Sequence, residues 1–315
     1  MINKKPFIVL HTEKEKMLGC GEDAFAYSFL NGNIGYIGVY DGCGGMGAKK
    51  YTLAGNKTGA RIASLLAGYV TDDFYNKNLF CFDGKDAERM KREFSINFKK
   101  INEYLKSDDS GIKIGGSLFK SIPTTASIVV LRNNDNKSID CEYIWAGDSR
   151  GYFLDNNGMC QVTADDLDTV EDAFTNLRSD ARMSNVINAD KDFWLNEKII
   201  NIKLPTAVIT STDGGFAYFN TPMEFEYAIL KSLYTAENIS EWQDNIYNYM
   251  SEYAGDDFSI IIAVYGFDSF NKMKSYYKSR FEYLYENFIS KISGSDEENL
   301  KKLWSVYSTS YYRRD

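Results

Sequence analysis

Ile34-Gly35-Tyr36-Ile37-Gly38-Val39-Tyr40-Asp41-Gly42-Cys43-Gly44-Gly45 sets an apolar run directly against an aspartate and a glycine-rich turn. The run reads as a buried strand, which puts Asp41 at its carboxyl end. Tyr143 to Ala146 ends in the same way at Gly147-Asp148, and Ala207 to Thr212 at Asp213. Two more acidic motifs, Gly21-Glu22-Asp23 and Gly255-Asp256-Asp257, also abut strand-like runs, but Asp256 and Asp257 precede theirs, Phe258 to Tyr265. If that last strand is antiparallel to its neighbours, its amino end meets their carboxyl ends, and acids distant in sequence converge on one rim. Converging carboxylates raise one another's pKa unless cations neutralise them. A divalent metal site is the economical reading.

The identity of the metal follows from the donors on offer. The chain has one histidine, His11, and its cysteines show no CxxC spacing, so a zinc site of nitrogen and sulfur ligands has little to be built from. Carboxylates, backbone carbonyls and water suit magnesium or manganese. The glycine beside each acid lets a carbonyl and a ligand approach closely. Taken singly, each Asp-Gly is an ordinary turn; the order and the strand context together argue for a site.

Composition fits a soluble enzyme. At 315 residues, 44% apolar and 15% aromatic, the chain can bury a large core, as one large domain or two smaller ones. A formal charge of −8 and a pI near 5.0 argue against nonspecific nucleic-acid binding. The apolar run after the basic start ends at His11-Thr12-Glu13, too short for a secretory signal, and reads as an edge strand. No stretch is long enough to span a bilayer. Five irregularly spaced cysteines read as reduced thiols. A cytoplasmic location without membrane attachment is expected.

The remaining elements read as α+β. Ala24 to Leu30 and Ile34 to Tyr40 flank Asn31-Gly32-Asn33, a hairpin turn. A helix is expected from about Ala48 to Val70, with Leu53, Ile62, Leu65, Leu66 and Val70 facing inward, and a second from Asp86 to Lys106 on the stripe Met90, Phe94, Phe98, Ile101 and Leu105. Thr125 to Arg132, Ile139 to Ala146, Gly151 to Leu154 and Cys160 to Thr163 read as a meander, and Phe225 to Leu233 and Ile239 to Tyr253 as helices. Beyond the last strand, Tyr277, Phe281, Leu284, Tyr285, Phe288 and Ile292 mark one amphipathic helix. Gly294 is its stop, and Ser295 with Glu298 would form a capping box for another helix through Leu300, Leu303, Trp304 and Tyr307. Division into a domain over 1–268 and a helical extension over 269–315, packed on it, follows.

Val39-Tyr40-Asp41-Gly42-Cys43-Gly44-Gly45, Pro123-Thr124-Thr125-Ala126, Ala146-Gly147-Asp148-Ser149-Arg150, Gln161-Val162-Thr163, Ser211-Thr212-Asp213-Gly214 and Asp256-Asp257-Phe258-Ser259 resemble, in this order, the metal-dependent protein phosphatases, the protein phosphatase 2C-like family. The resemblance runs from about Phe7 to Phe267. It implies a four-layer α/β/β/α sandwich of two antiparallel sheets flanked by helix pairs. It also implies a protein serine/threonine phosphatase that opposes a kinase acting on the same phosphoproteins, while the abundant Lys, Asn, Tyr and Ile of the composition point to an AT-rich bacterial genome. Asp41 would bridge two Mn²⁺ or Mg²⁺ ions, the Gly42 carbonyl would bind the second, and Asp213 and Asp256 would complete the first. Glu22 would hold metal-bound water, and Asp148 with Asp213 would hold a third ion. The implied chemistry is direct attack of a metal-activated hydroxide on phosphorus.

The chain also departs from the family pattern. The arginine that grips the substrate phosphate falls on Leu18, leaving Lys16 and Lys14 as the nearest cations, which act as point charges without the arginine fork. Cys43 stands where relatives carry histidine or methionine and reads as a small residue filling the turn. Asp166 replaces a histidine that often follows the Gln161-Val162-Thr163 motif. The polar segment 165–198, with Asp165, Asp166, Asp168, Glu171, Asp172 and Asp180, corresponds to the family's substrate-selecting flap, and Asn185-Val186 resembles part of it. The alternative to an active enzyme is a pseudophosphatase that binds phosphoproteins without turnover, favoured by Leu18 and opposed by the retained acids.

Overall fold

A computed structural model describes residues 5–31, 33–107, 120–133, 137–169, 171–179 and 181–313. β1 (Ile8–Lys14) leads through an acidic loop into β2 (Ala24–Ser28) and β3 (Ile34–Tyr40). A single helical turn, α1 (Gly44–Gly47), and a small hairpin of β4 (Lys50–Tyr51) and β5 (Lys57–Thr58) precede the long helices α2 (Gly59–Asn76) and α3 (Asp86–Lys106). Next come β6 (Ala126–Asn133), β7 (Ser138–Ala146), β8 (Arg150–Asp155), β9 (Gly158–Gln161), the short α4 (Ala173–Asn176) and β10 (Asn196–Lys203). β11 (Thr206–Ser211), α5 (Pro222–Thr235), α6 (Ile239–Tyr253) and β12 (Phe258–Tyr265) follow, then α7 (Phe270–Leu284), α8 (Ser290–Ile292) and α9 (Glu297–Tyr311).

The strands form two antiparallel sheets, in the orders β1-β12-β11-β8-β9 and β10-β7-β6-β3-β2. Successive strand residues point to opposite faces; in the central strands β3, β6, β11 and β12 both faces are covered and the residues are almost all buried, whereas the edge strands β1, β2 and β10 keep exposed or half-exposed positions. On β12, Ile261, Ala263 and Tyr265 enter the core between the sheets with Val39, Val129 and Val208. Phe258, Ile260, Ile262 and Val264 pack outward in the core that includes α5, α6, α7 and α9. On the other flank, Tyr36, Tyr40, Ile128 and Ile144 pack with Ala63, Val70, Met90, Phe94 and Phe98 of α2 and α3. The result is the expected α/β/β/α layering. β1 is an edge strand, and α3 and α6 have the expected bounds.

Four expectations need correction. The helix expected from Ala48 begins instead at Gly59. Gly55 and Asn56 both take left-handed conformations (φ 67° and 61°) and fold the preceding segment into the β4–β5 hairpin, and Thr58 caps the helix by accepting from Arg61 N at 3.1 Å. The first turns of its buried face are accordingly small residues, Ala60, Ala63 and Ala67, followed by Val70 as expected and by Phe74 and Tyr75, while Leu53 and Leu65 are exposed. The expected meander is divided between the sheets, because β7 lies in one and β8 in the other, the chain crossing over at Gly147 to Ser149. The cap of α9 is Asp296, which accepts from Asn299 N at 2.9 Å; Ser295 Oγ instead donates to Lys291 O. Tyr285, expected on the inner face of its helix, is exposed, because the helix passes through one π-type turn there and the facing is shifted. Gly32 of the expected hairpin turn and Asp180 of the flap lie outside the described residues.

Candidate functional site

β12 runs antiparallel to both β1 and β11, with Ser259 opposite Glu13 and Ile260 opposite Ser211. Its amino end therefore meets their carboxyl ends. Asp213 follows β11, Asp256 precedes β12, and Asp41 follows β3 of the facing sheet, so the acids gather where the two sheets meet at one rim. Glu22, Asp41, Gly42, Asp213 and Asp256 line a cleft of about 290 Å³, together with Asp23 and Asp257. A larger cavity of about 370 Å³ beside α7 and α9 contains none of these acids.

The backbone around Asp41 is tightly held. Its carbonyl accepts from Thr125 N (2.9 Å) and Thr124 Oγ1 (2.7 Å), and its N–H donates to Thr125 Oγ1 (3.3 Å). Gly42 has no room for a side chain, since a Cβ there would stand 2.6 Å from the carbonyl oxygens of both Ala60 and Glu22. Glu22 is positioned from two directions. Its N–H donates to Asp257 Oδ2 (2.6 Å), and its Oε1 accepts from the Thr58 hydroxyl, the same group that caps α2. Asp257 Oδ1 also accepts from Lys16 N (2.6 Å), so this one carboxylate pins the loop that carries Glu22.

Electrostatics confirm the crowding. Burial, then the charges of Asp213, Asp23 and Asp148, pushes the Asp41 carboxyl well up. Burial also drives Asp23 well up, against the donation it receives from Thr212 Oγ1 (2.7 Å). Asp213 rises to about 6 through burial and then Asp256. Asp148 rises to about 8 through burial, then Asp213 and Asp165, and its Oδ1 is buried with no hydrogen-bond partner among the described residues. Burial pushes the Cys43 thiol up as well, leaving it protonated and suited to filling the turn.

The structure distributes the remaining candidates differently. Asp148 does not line the cleft and reaches it through the charge of Asp213. Lys16 Nζ stands 3.8 Å from Asp256 Oδ1 at the exposed rim, whereas Lys14 Nζ donates to Ser251 O of α6 (3.0 Å). Leu18 is 98% exposed. Asp166 ties the crossover to the loop that carries Asn185 and to the start of β10, its carboxylate accepting from Gly147 N (3.0 Å), Asn185 Nδ2 (2.7 Å) and Asn196 Nδ2 (3.0 Å). Sequence reading gave no role to Asp23, Asp257 or the Asp166 carboxylate. The Glu22-Asp23 and Asp256-Asp257 doublets were the available signal: all four acids line the cleft, and Asp23 and Asp257 also accept the hydrogen bonds that brace it.

The donor set fits a hard divalent cation in kind: all oxygen, largely buried, and mutually repelling without positive charge. Among the described residues, no three His, Cys, Asp or Glu side chains are already closed around a common point. The acids are gathered in one cleft rather than wrapped into a finished coordination shell.

No protein-family model and no curated protein sequence matches the chain. Solved structures do. A bacterial serine phosphatase is 15% identical with a TM-score of 0.59, the match covering 83% of this chain and 98% of that one. Serine/threonine phosphatase Stp1 from Staphylococcus aureus is 16% identical at a TM-score of 0.57, over 83% and 95%. The catalytic domain of the serine threonine protein phosphatase PstP, in complex with two manganese ions, is 13% identical at 0.52, over 82% and 97%. At these identities the likeness is one of fold.

Proposed function

We propose that this chain, which has the fold of the bacterial serine/threonine phosphatases, is itself a metal-dependent phosphatase acting on phosphoserine and phosphothreonine in proteins. A kinase would supply those substrates. One observation carries the reading: Glu22, Asp41, Asp213 and Asp256, from four separate segments, line a single cleft in a fold shared with phosphatases. Asp41, the Gly42 carbonyl, Asp213 and Asp256 would hold two Mn²⁺ or Mg²⁺ ions, with Glu22 beside them and Asp148 supporting a third. Bound there, such ions would screen the phosphate's charge and lower the pKa of water in the cleft.

The chain's own residues prepare that site. Thr124 and Thr125 fix the carbonyl of Asp41 and thereby the turn that presents Gly42. Thr58 and Asp257 fix Glu22. Asp23 braces Asp41 against Thr212 at the end of β11, linking the two sheets across the cleft floor. At the rim, Lys16 is the described cation placed to meet an incoming phosphate.

Hydrolysis of a phosphothreonine peptide and of para-nitrophenyl phosphate, with Mn²⁺, Mg²⁺ or EDTA, tests the proposal. Turnover that requires the divalent ion and falls at least about a hundredfold in Asp41→Asn supports it. The exposed Leu18 and the engaged Lys14 favour a second reading, a phosphoprotein-binding pseudophosphatase. A folded protein that binds Mn²⁺ and turns over neither substrate would establish that one.

A further inference from the structure

The cavity of about 370 Å³ beside α7 and α9 is larger than the acidic cleft, and the turn between β8 and β9 forms its third side. Its floor contains a charged group that is almost wholly buried. Arg280 of α7 is 6% exposed and pairs side-on with Glu226 of α5, Nε donating to Oε1 (2.7 Å) and Nη2 to Oε2 (2.9 Å). Tyr307 of α9 donates to the same Oε2 (2.5 Å), so Glu226 holds three donors. Glu226 does not line the cavity, whereas Arg280 does. Among the described residues Nη1 of Arg280 has no acceptor, although a guanidinium carries five N–H donors in a fixed fork and a nearly buried donor is costly to leave unmatched.

The walls suit a ring. Phe288 belongs to the π-type turn Tyr285–Ile289, a distortion that recurs at functional positions in helices, and its ring meets Tyr283 and Tyr307 edge-on at 6.0 and 5.5 Å. The Arg280 guanidinium lies over both tyrosines, at 5.5 and 5.7 Å from their ring centres. At the mouth stand Asn156 and Ser279, both exposed. Arg313 fastens the β8–β9 turn to α9, Nη1 donating to Asp155 Oδ2 and Nη2 to Gly158 O, each at 2.7 Å. Among the described residues no carboxylate lines the cavity, in a chain whose formal charge is −8.

We propose that this cavity binds a small organic anion, a carboxylate or phosphate group on a planar body, with the oxyanion on Arg280 Nη1 and the body against Tyr283, Phe288 and Tyr307. Glu226 fixes the plane of the guanidinium from its far edge, so the remaining donor is already oriented before a ligand arrives. A charge-assisted bond from Nη1 gives the anion an advantage over a neutral group of the same shape. The volume is that of a small-molecule site, aromatic on its walls with few polar groups at fixed places. The site is separate from the acidic cleft, and the proposal stands or falls independently of phosphoester hydrolysis.

The test is a set of ligand-observed NMR titrations on the full chain in EDTA, with benzoate, phenylphosphonate and benzamide as one ring carrying a carboxylate, a phosphonate or a neutral amide. At least one of the anions should bind at least about tenfold tighter than benzamide, and the comparison of the two shows which oxyanion the site takes. Arg280 also holds Glu226, so its replacement endangers the fold; variants at the exposed rim, with melting curves to show that they are folded, carry the test. Ser279→Glu sets a like charge at the mouth and should weaken the bound anion at least about tenfold, and Val306→Trp, on the lining of α9 and 61% exposed, should block all three probes. Anions that bind no tighter than benzamide would overturn the proposal. Anion binding unchanged in both rim variants, or lost in Lys16→Met at the acidic cleft, would assign the anions to another place and overturn it too.

Discussion

At the scale of single residues, the site depends on what is missing as much as on what is charged. Gly42 is glycine because two carbonyls stand where a side chain would begin, and in the doublets Glu22-Asp23 and Asp256-Asp257, all of which line the cleft, Asp23 and Asp257 also accept the bracing hydrogen bonds. The acids themselves were legible from their strand contexts. The division of labour within each doublet was not, because it depends on Thr212 and on the N–H groups of Lys16 and Glu22, which neighbour these acids only in space. His11, the chain's one histidine, shows how burial sets a titration: its ring stacks on Phe25 at 3.4 Å and burial lowers its pKa from 6.5 to about 4. The folded state keeps this ring neutral while the unfolded chain takes up a proton. The resulting stability is therefore complete above about pH 6.5 and is lost as pH falls toward 4, by at most about 3 kcal/mol. The single histidine resonance in an NMR titration should have its midpoint near 4; a midpoint near 6.5 would show that burial does not govern the ring.

At the scale of elements, patterns were reliable where one face was apolar and misleading where small residues did the packing. α3 was legible from Met90, Phe94 and Phe98. The start of α2 carries no such stripe, because its first three turns bury Ala60, Ala63 and Ala67 and the large Val70, Phe74 and Tyr75 enter the core only further along. β7 holds a feature no periodicity reveals. Glu142 is fully buried on it, facing Asp86 at the start of α3 and Glu197 on β10, and burial, then these two neighbours, pushes its carboxyl up to about 11. With all three ionised there is no donor among their oxygens; a proton on Glu142 supplies one. The unfolded chain releases that proton near pH 4.5, so this group makes stability decline as pH rises from there toward 11. Glu142→Gln, which carries a permanent donor, should raise unfolding free energy at pH 8 by at least about 1 kcal/mol, with a larger gain at pH 9 than at pH 6. Denaturant titrations at the three pH values would show it, and a pH-independent change would refute it.

At the scale of the whole molecule, the C-terminal helices are continuous with the core that covers β12. Trp304 stacks on Phe174 (6.0 Å) and donates to Asp172 Oδ2 (2.8 Å), Tyr307 donates to Glu226, which also pairs with Arg280 (2.7 Å), and Tyr311 donates to Gln161 Oε1 (2.9 Å). Residues 269–313 thus brace both the helix layer and the segment around Asp172 and Phe174. Trp304→Ala should cost about 3–5 kcal/mol and lower the melting temperature of the entire protein in one transition; a separate low-temperature transition, with the main one unmoved, would mark the extension as an independent unit. By itself the sequence determined most of the strands and helices and the acids at the strand ends, because hydrophobic period and turn chemistry are local properties of the chain; the polar β10 (Asn196–Lys203) and the β4–β5 hairpin carry no such signal. Tertiary structure alone decided that the crossover at Gly147 to Ser149 changes sheets, that Lys14 turns to α6 while Lys16 stays at the rim, and that Arg280 and Tyr307 converge on Glu226 and line one cavity. Those outcomes depend on the stacking of two sheets and on contacts between segments far apart in the chain, for which neighbouring residues carry no signal.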